Sequence, residues 1–129
     1  MINSIKNVLK KERNVAFAYL YGSFLKNPEY ANDIDIAIFL KKKASANYER
    51  KLALKIEKEI KKPVDVISLN EKPLLVISEV LTNGKLIFSK DDKLRINFET
   101  RMMPDILNFN ELMKEFDKKR LERYGIKIR

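Results

Sequence analysis

The chain has 129 residues, 45% of them hydrophobic and 35% charged, and a formal net charge of +9; that is enough for one core of several strands and helices and too little for two. Cysteine and histidine are both absent, which excludes disulfides, thiolate and imidazole metal sites, Ser-His-Asp triads and imidazole general bases. Any chemistry falls to carboxylates, lysine, arginine, serine or tyrosine.

The first residues lack the apolar segment of a signal peptide, and the longest apolar runs are of strand length, so a cytoplasmic protein with no membrane contact is expected. The positive charge suits nucleic acid, a phosphorylated small molecule or an acidic protein partner. Its lysine blocks, Lys41–Lys43, Lys61-Lys62 and Lys118–Arg120, fall at the ends of expected elements with little aromatic interleaving. Direct nucleic-acid binding is therefore not expected.

Ile5, Val8 and Leu9 share one helical face, which gives a short first helix ending near Arg13-Asn14. Val15 to Tyr21 reads as a strand of aromatic and small apolar residues. Gly22 to Asn32 is polar, with a turn at Asn27-Pro28. Asp33 to Leu40 is a second strand, apolar on both faces after its acids. Ser45 is positioned to cap a helix reaching Lys61, with Tyr48, Leu52, Ile56 and Ile60 along one stripe.

Val64 to Leu69 is a short β-branched third strand. Pro73 opens a helix through Leu74, Ile77, Val80 and Leu81, which Asn83-Gly84 should end in a left-handed stop. Lys85 to Ser89 is a fourth, weaker strand. Asp91 or Asp92 caps a tail helix carrying Leu94, Phe98 and Met102, which Pro104 should interrupt. A second stripe of Phe109, Leu112, Met113 and Phe116, continuing toward Leu121 and Tyr124, is read as core, the alternative being that part of it is a partner-binding face. Together these elements describe a single α/β (α+β) domain over residues 1–129, with a sheet of about four strands, flanking helices and a helical tail over 91–125.

Side chains two apart on a strand share a face, so Asp33 and Asp35 aim their carboxylates to one side. Hard oxygen donors placed so suit magnesium. Asp65, flanked by Val64 and Val66, joins them if the third strand lies beside the second. Three carboxylates there repel one another unless cations neutralise them, and two bridged magnesium ions are the arrangement used in phosphoryl and nucleotidyl transfer. Asp35 sits within an apolar strand, where an unpaired carboxylate is expensive. Gly22 lets a phosphate approach the backbone, Ser23 can donate from its hydroxyl, and Lys26 can add a point charge. Tyr21, beside this turn, is read as a packing residue.

Gly22-Ser23, nine intervening residues, Asp33-Ile34-Asp35 and the later Asp65 together resemble the polymerase β-like nucleotidyltransferase superfamily. The motif spans residues 15–69. The small size resembles its minimal nucleotidyltransferase (MNT) branch, the antitoxin partners of HEPN-domain ribonuclease toxins. The resemblance implies a mixed nucleotidyltransferase sheet, with Asp33 and Asp35 holding two magnesium ions and Asp65 holding one of them while acting as base. It implies ATP as substrate, with Gly22 and Ser23 on its triphosphate, and a tyrosine of a HEPN toxin as acceptor of AMP. Two departures stand out: the spacer before Asp33 is one residue shorter than is common, and Lys26 occupies the neighbourhood where an arginine is frequent. The competing functions are an antitoxin acting by binding alone and a nucleotidyltransferase acting on a small molecule or RNA.

Overall fold

The computed structural model describes residues 1–29, 32–123 and 125. In chain order its elements are α1 (Ile2–Lys11), β1 (Val15–Tyr21), α2 (Ser23–Lys26), β2 (Ile34–Leu40), α3 (Tyr48–Ile60), β3 (Val64–Ser68), α4 (Leu74–Asn83), β4 (Lys85–Ser89) and α5 (Asp92–Arg123). The strands form one mixed sheet in the order β3-β2-β1-β4, in which β2 and β3 run parallel and the other neighbours antiparallel.

Strand alternation sorts the apolar residues onto two faces. Ile34, Ile36 and Ile38 of β2 join Val64 and Val66 of β3 beneath Ile5 and Leu9 of α1 and Leu52 and Ile56 of α3. Phe17 and Tyr19 of β1, with Ala37 of β2, pack on the opposite face against Ile77 and Val80 of α4 and Phe98 and Ile106 of α5. The rings of Phe17, Phe39 and Phe98 form one cluster there, with Phe17 and Phe39 stacked at 4.8 Å.

Two asparagine side chains hold the far end of β2 by imitating a strand backbone. Asn70 accepts from the Leu40 amide at 2.9 Å and donates to the Leu40 carbonyl at 2.8 Å. Asn14 does the same with Lys42, accepting at 2.8 Å and donating at 2.9 Å. These bonds lock β2 between β1 and β3, and so fix which residues face each other at its other end.

Several boundaries differ from the sequence expectation. Asp33 lies just ahead of β2 rather than within it. Helix α3 begins at Tyr48, whose amide bonds the backbone carbonyl of Ser45 at 3.1 Å, so Ser45 contributes no side-chain cap. The left-handed stop falls on Lys61 (φ 61), whereas Gly84 is extended at φ −79. Gly84 is required for space instead: a Cβ there would overlap the Val80 carbonyl oxygen and come within 3.2 Å of that of Leu20.

The tail is one helix rather than two. Asp91 caps it through a 3.0 Å bond from the Leu94 amide, and Pro104 lies inside it. Proline removes one backbone bond, yet Phe98 and Ile106, on either side, are 3% and 2% exposed, and their burial holds the helix together across it. The stripe read as core is largely open to solvent, since Leu112 is 67%, Phe116 59% and Met113 37% exposed. The sheet ends before these residues, so α5 has nothing to bury them against. Leu121 is half-buried, and Tyr124 lies outside the described residues. No described helix is long and apolar enough to cross a membrane.

Candidate active site

The parallel register of β2 and β3 sets Asp35 directly opposite Asp65, and the antiparallel register of β1 and β2 sets Tyr21 opposite Asp35. All three project from the face that carries Phe17, Ala37 and α4, at the end of the sheet where β1 passes into α2. Asp33 stands two residues before Asp35 on the approach to β2, exposed, and the Ile34 amide between them is tied to the Pro63 carbonyl at 3.0 Å. Asp65 is exposed and Asp35 half-buried.

Electrostatics couples these groups. Burial, then the charge of Asp65, then that of Asp33 push the Asp35 carboxyl above its ordinary value of 3.8. Burial, then Asp35 and Asp65, push the Tyr21 hydroxyl up to about 12. Among the described residues none of the three acids forms an ion pair, so no protein cation offsets this negative field. The donor set is carboxylate oxygen alone, which fits a hard divalent cation. Among the described residues, however, no three acids converge into a ready coordination group. They share a neighbourhood, and two of them, Asp33 and Asp65, are exposed.

Gly22 connects β1 to α2 at φ 82 and ψ −159, a backbone region open essentially to glycine alone. Its missing side chain also serves Asp35: a Cβ would overlap Asp35 Oδ2 and sit 3.2 Å from Cγ. The glycine is thus what lets the carboxylate lie against the turn. Ser23 opens α2, exposed, and Lys26 closes it one turn later on the same side.

Two features were not anticipated from the sequence. Lys62, in the loop before β3, places its ammonium 5.9 Å over the ring of Phe24, the residue after Ser23. It brings a cation to the turn from a different part of the chain, and only the fold reveals the pairing. Beside the acids, Tyr21, Ile67, Lys72, Leu75, Val76 and Glu79 line a mainly apolar groove of about 480 Å³. Tyr21 packs on the core below as expected and also forms one wall of this groove.

The stretch that carries Gly22, Ser23, Asp33, Asp35 and Asp65 lies within one family match. The family described as Polymerase beta, Nucleotidyltransferase matches residues 3–93. The chain belongs to this nucleotidyltransferase family. No curated protein matches it. Among solved structures, the fold resembles a chain of the Shewanella oneidensis complex of a tri-AMPylated HEPN toxin with MNT antitoxin, at TM-score 0.70 and 19% identity, covering 93% of this chain and 95% of that one. It resembles equally a chain of a toxin-antitoxin complex with AMP-PNP, at TM-score 0.69 and 18% identity, covering 97% and 98%. A chain of the MntA-HepT toxin-antitoxin pair matches at TM-score 0.63 and 17% identity, covering 97% of each. The mixed sheet of this nucleotidyltransferase is the one that the sequence resemblance implied.

Proposed function

We propose that this chain, as one nucleotidyltransferase domain, transfers AMP from ATP to a tyrosine of a cognate HEPN-type toxin and thereby neutralises it. The observation that carries this reading is the register that places Asp35 opposite Asp65 at the Gly22-Ser23 turn. Support for the partner and the reaction comes from the solved relatives, one of which holds AMP-PNP and another an AMPylated HEPN toxin.

The residues divide the work. Gly22 admits the triphosphate to the backbone, Ser23 donates to it from its hydroxyl, and Lys26 and Lys62 contribute positive charge. The apolar groove between Tyr21 and α4 takes the nucleobase. Asp33, Asp35 and Asp65 are the residues to hold two magnesium ions, which when bound neutralise the triphosphate and assist pyrophosphate departure. A tyrosine hydroxyl has an unperturbed pKa of about 10, so it needs help to become a nucleophile. Asp65, the more exposed acid of the facing pair, accepts its proton. The phenolic oxygen then bonds to the α-phosphorus, the bond from that phosphorus to the bridging oxygen breaks, and pyrophosphate carries away the electron pair.

Incubating the purified protein with its toxin, ATP and magnesium should raise the toxin's mass in steps of AMP, and Asp35→Asn should abolish the increase. An unchanged toxin mass with the wild-type protein, under conditions where the two bind, would overturn the proposal. The open apolar face of α5 favours a second reading, neutralisation by binding alone. Protection of cells by the Asp33→Asn, Asp35→Asn double variant would support that reading.

A further inference from the structure

The apolar stripe of α5 does not end where the sheet does. Phe98, Met102 and Ile106 cover the face that carries Phe17, and Phe109, Met113 and Phe116 follow at intervals of three and four residues, on the same side of the helix. One continuous face is therefore buried in its first half and bare in its second. Asn110, at the crossover, accepts from the Ser78 hydroxyl at 3.0 Å and reaches Thr82 at 3.5 Å. Gly84, two residues beyond Thr82, lies against the Leu20 carbonyl, next to Tyr21. The helix consequently leaves the sheet at the end that carries Asp35 and Asp65, on the same face as those acids.

We infer that Leu112, Met113 and Phe116 form the anchor on which the acceptor toxin docks, setting its acceptor hydroxyl toward the acid pair. This inference rests on the proposed AMP transfer. Position favours the toxin over a second copy of this chain, because a protein seated on the overhang also reaches the catalytic end of the sheet. Area favours it too: three partly exposed side chains supply on the order of 300 Å², against about 800 Å² per partner in a stable interface. An isologous pair joined through this stripe alone falls short, whereas a partner that also covers the acid rim does not.

The test is Leu112→Glu with Phe116→Glu, two exposed positions whose change leaves helix content and ATP binding as they are. Affinity for the toxin, measured by calorimetry, should fall at least tenfold, with a matching rise in KM for the toxin and none for ATP. Unchanged toxin affinity would overturn the docking site. So would a wild-type protein that is dimeric alone and becomes monomeric in the variant with toxin affinity intact, since the stripe would then join two copies. If the wild-type protein binds the toxin without modifying it and the variant does not bind, the docking site stands and the proposed AMP transfer fails.

Discussion

Asp35 and Asp65 face each other across the parallel pair β2 and β3, and among the described residues neither forms an ion pair. Two like charges held at strand spacing destabilise the fold that presents them. Asp35→Asn should therefore raise the melting temperature of the metal-free protein by roughly 2–4 °C, about 0.5–1 kcal/mol for a partly exposed contact. Magnesium should stabilise the wild type, because a ligand of the folded state alone adds to its stability, and leave the variant nearly unmoved. Thermal shift with and without magnesium reads both effects.

The same coupling sets a pH dependence. The Asp35 carboxyl is raised above 3.8 in the folded state, so between the unfolded and folded values the native protein holds more proton than the unfolded chain. Stability is then greatest below the unfolded value and is lost as pH rises through the folded one. Denaturant melts of the metal-free protein at increasing pH from about 3.8 should show a falling component that Asp35→Asn removes. A profile identical in the two proteins would rule out Asp35 as its source.

Gly22 meets two demands that no other residue meets, a backbone at φ 82 and ψ −159 and room for the Asp35 carboxylate. Gly22→Ala should lower stability by about 2 kcal/mol, within the range for residues forced into that region. It should also reduce nucleotidyl transfer at least about tenfold by displacing Asp35. Combining denaturant melts with the toxin-mass assay separates the two losses.

Much of this arrangement was legible because strand periodicity is local. The runs Val15–Tyr21 and Lys85–Ser89 form the expected strands, and alternation places Asp35 and Asp65 on the side opposite their apolar neighbours. What stayed hidden depends on distant contacts. Gly84 signals a left-handed stop by composition, yet it is extended and leads straight into β4 at Lys85. Pro104 signals a break, yet burial of Phe98 and Ile106 carries the helix through it. Phe109 to Phe116 has the spacing of a core stripe, and sequence spacing does not show where the sheet beneath it ends.

Lys62 approaches the Gly22-Ser23 turn over the ring of Phe24, near the place where an arginine was missed. An exposed cation of this kind contributes up to about 1 kcal/mol, so Lys62→Ala should raise KM for ATP about threefold to fivefold with kcat little changed. The effect should shrink at high salt, where exposed charges are screened, and Lys62→Arg should retain wild-type KM. A KM for ATP unchanged by Lys62→Ala would remove Lys62 from the nucleotide site.

Pro104 is exposed and inside α5, where proline lacks the N–H that the preceding turn would accept and crowds its carbonyl, at about 3 kcal/mol in a helix interior. Packing on both sides holds the helix in place, so the substitution has no new contact to make and only the backbone defect to repair. Pro104→Ala should then stabilise the protein by about 1–3 kcal/mol in denaturant melts. Because proline kinks the helices it enters, straightening α5 there would swing Leu112 and Phe116 relative to the acids. The variant should therefore bind ATP normally and be more stable, while modifying the toxin more slowly. A gain in stability with toxin modification unaltered would mean that the direction of α5 beyond Pro104 is immaterial to the reaction.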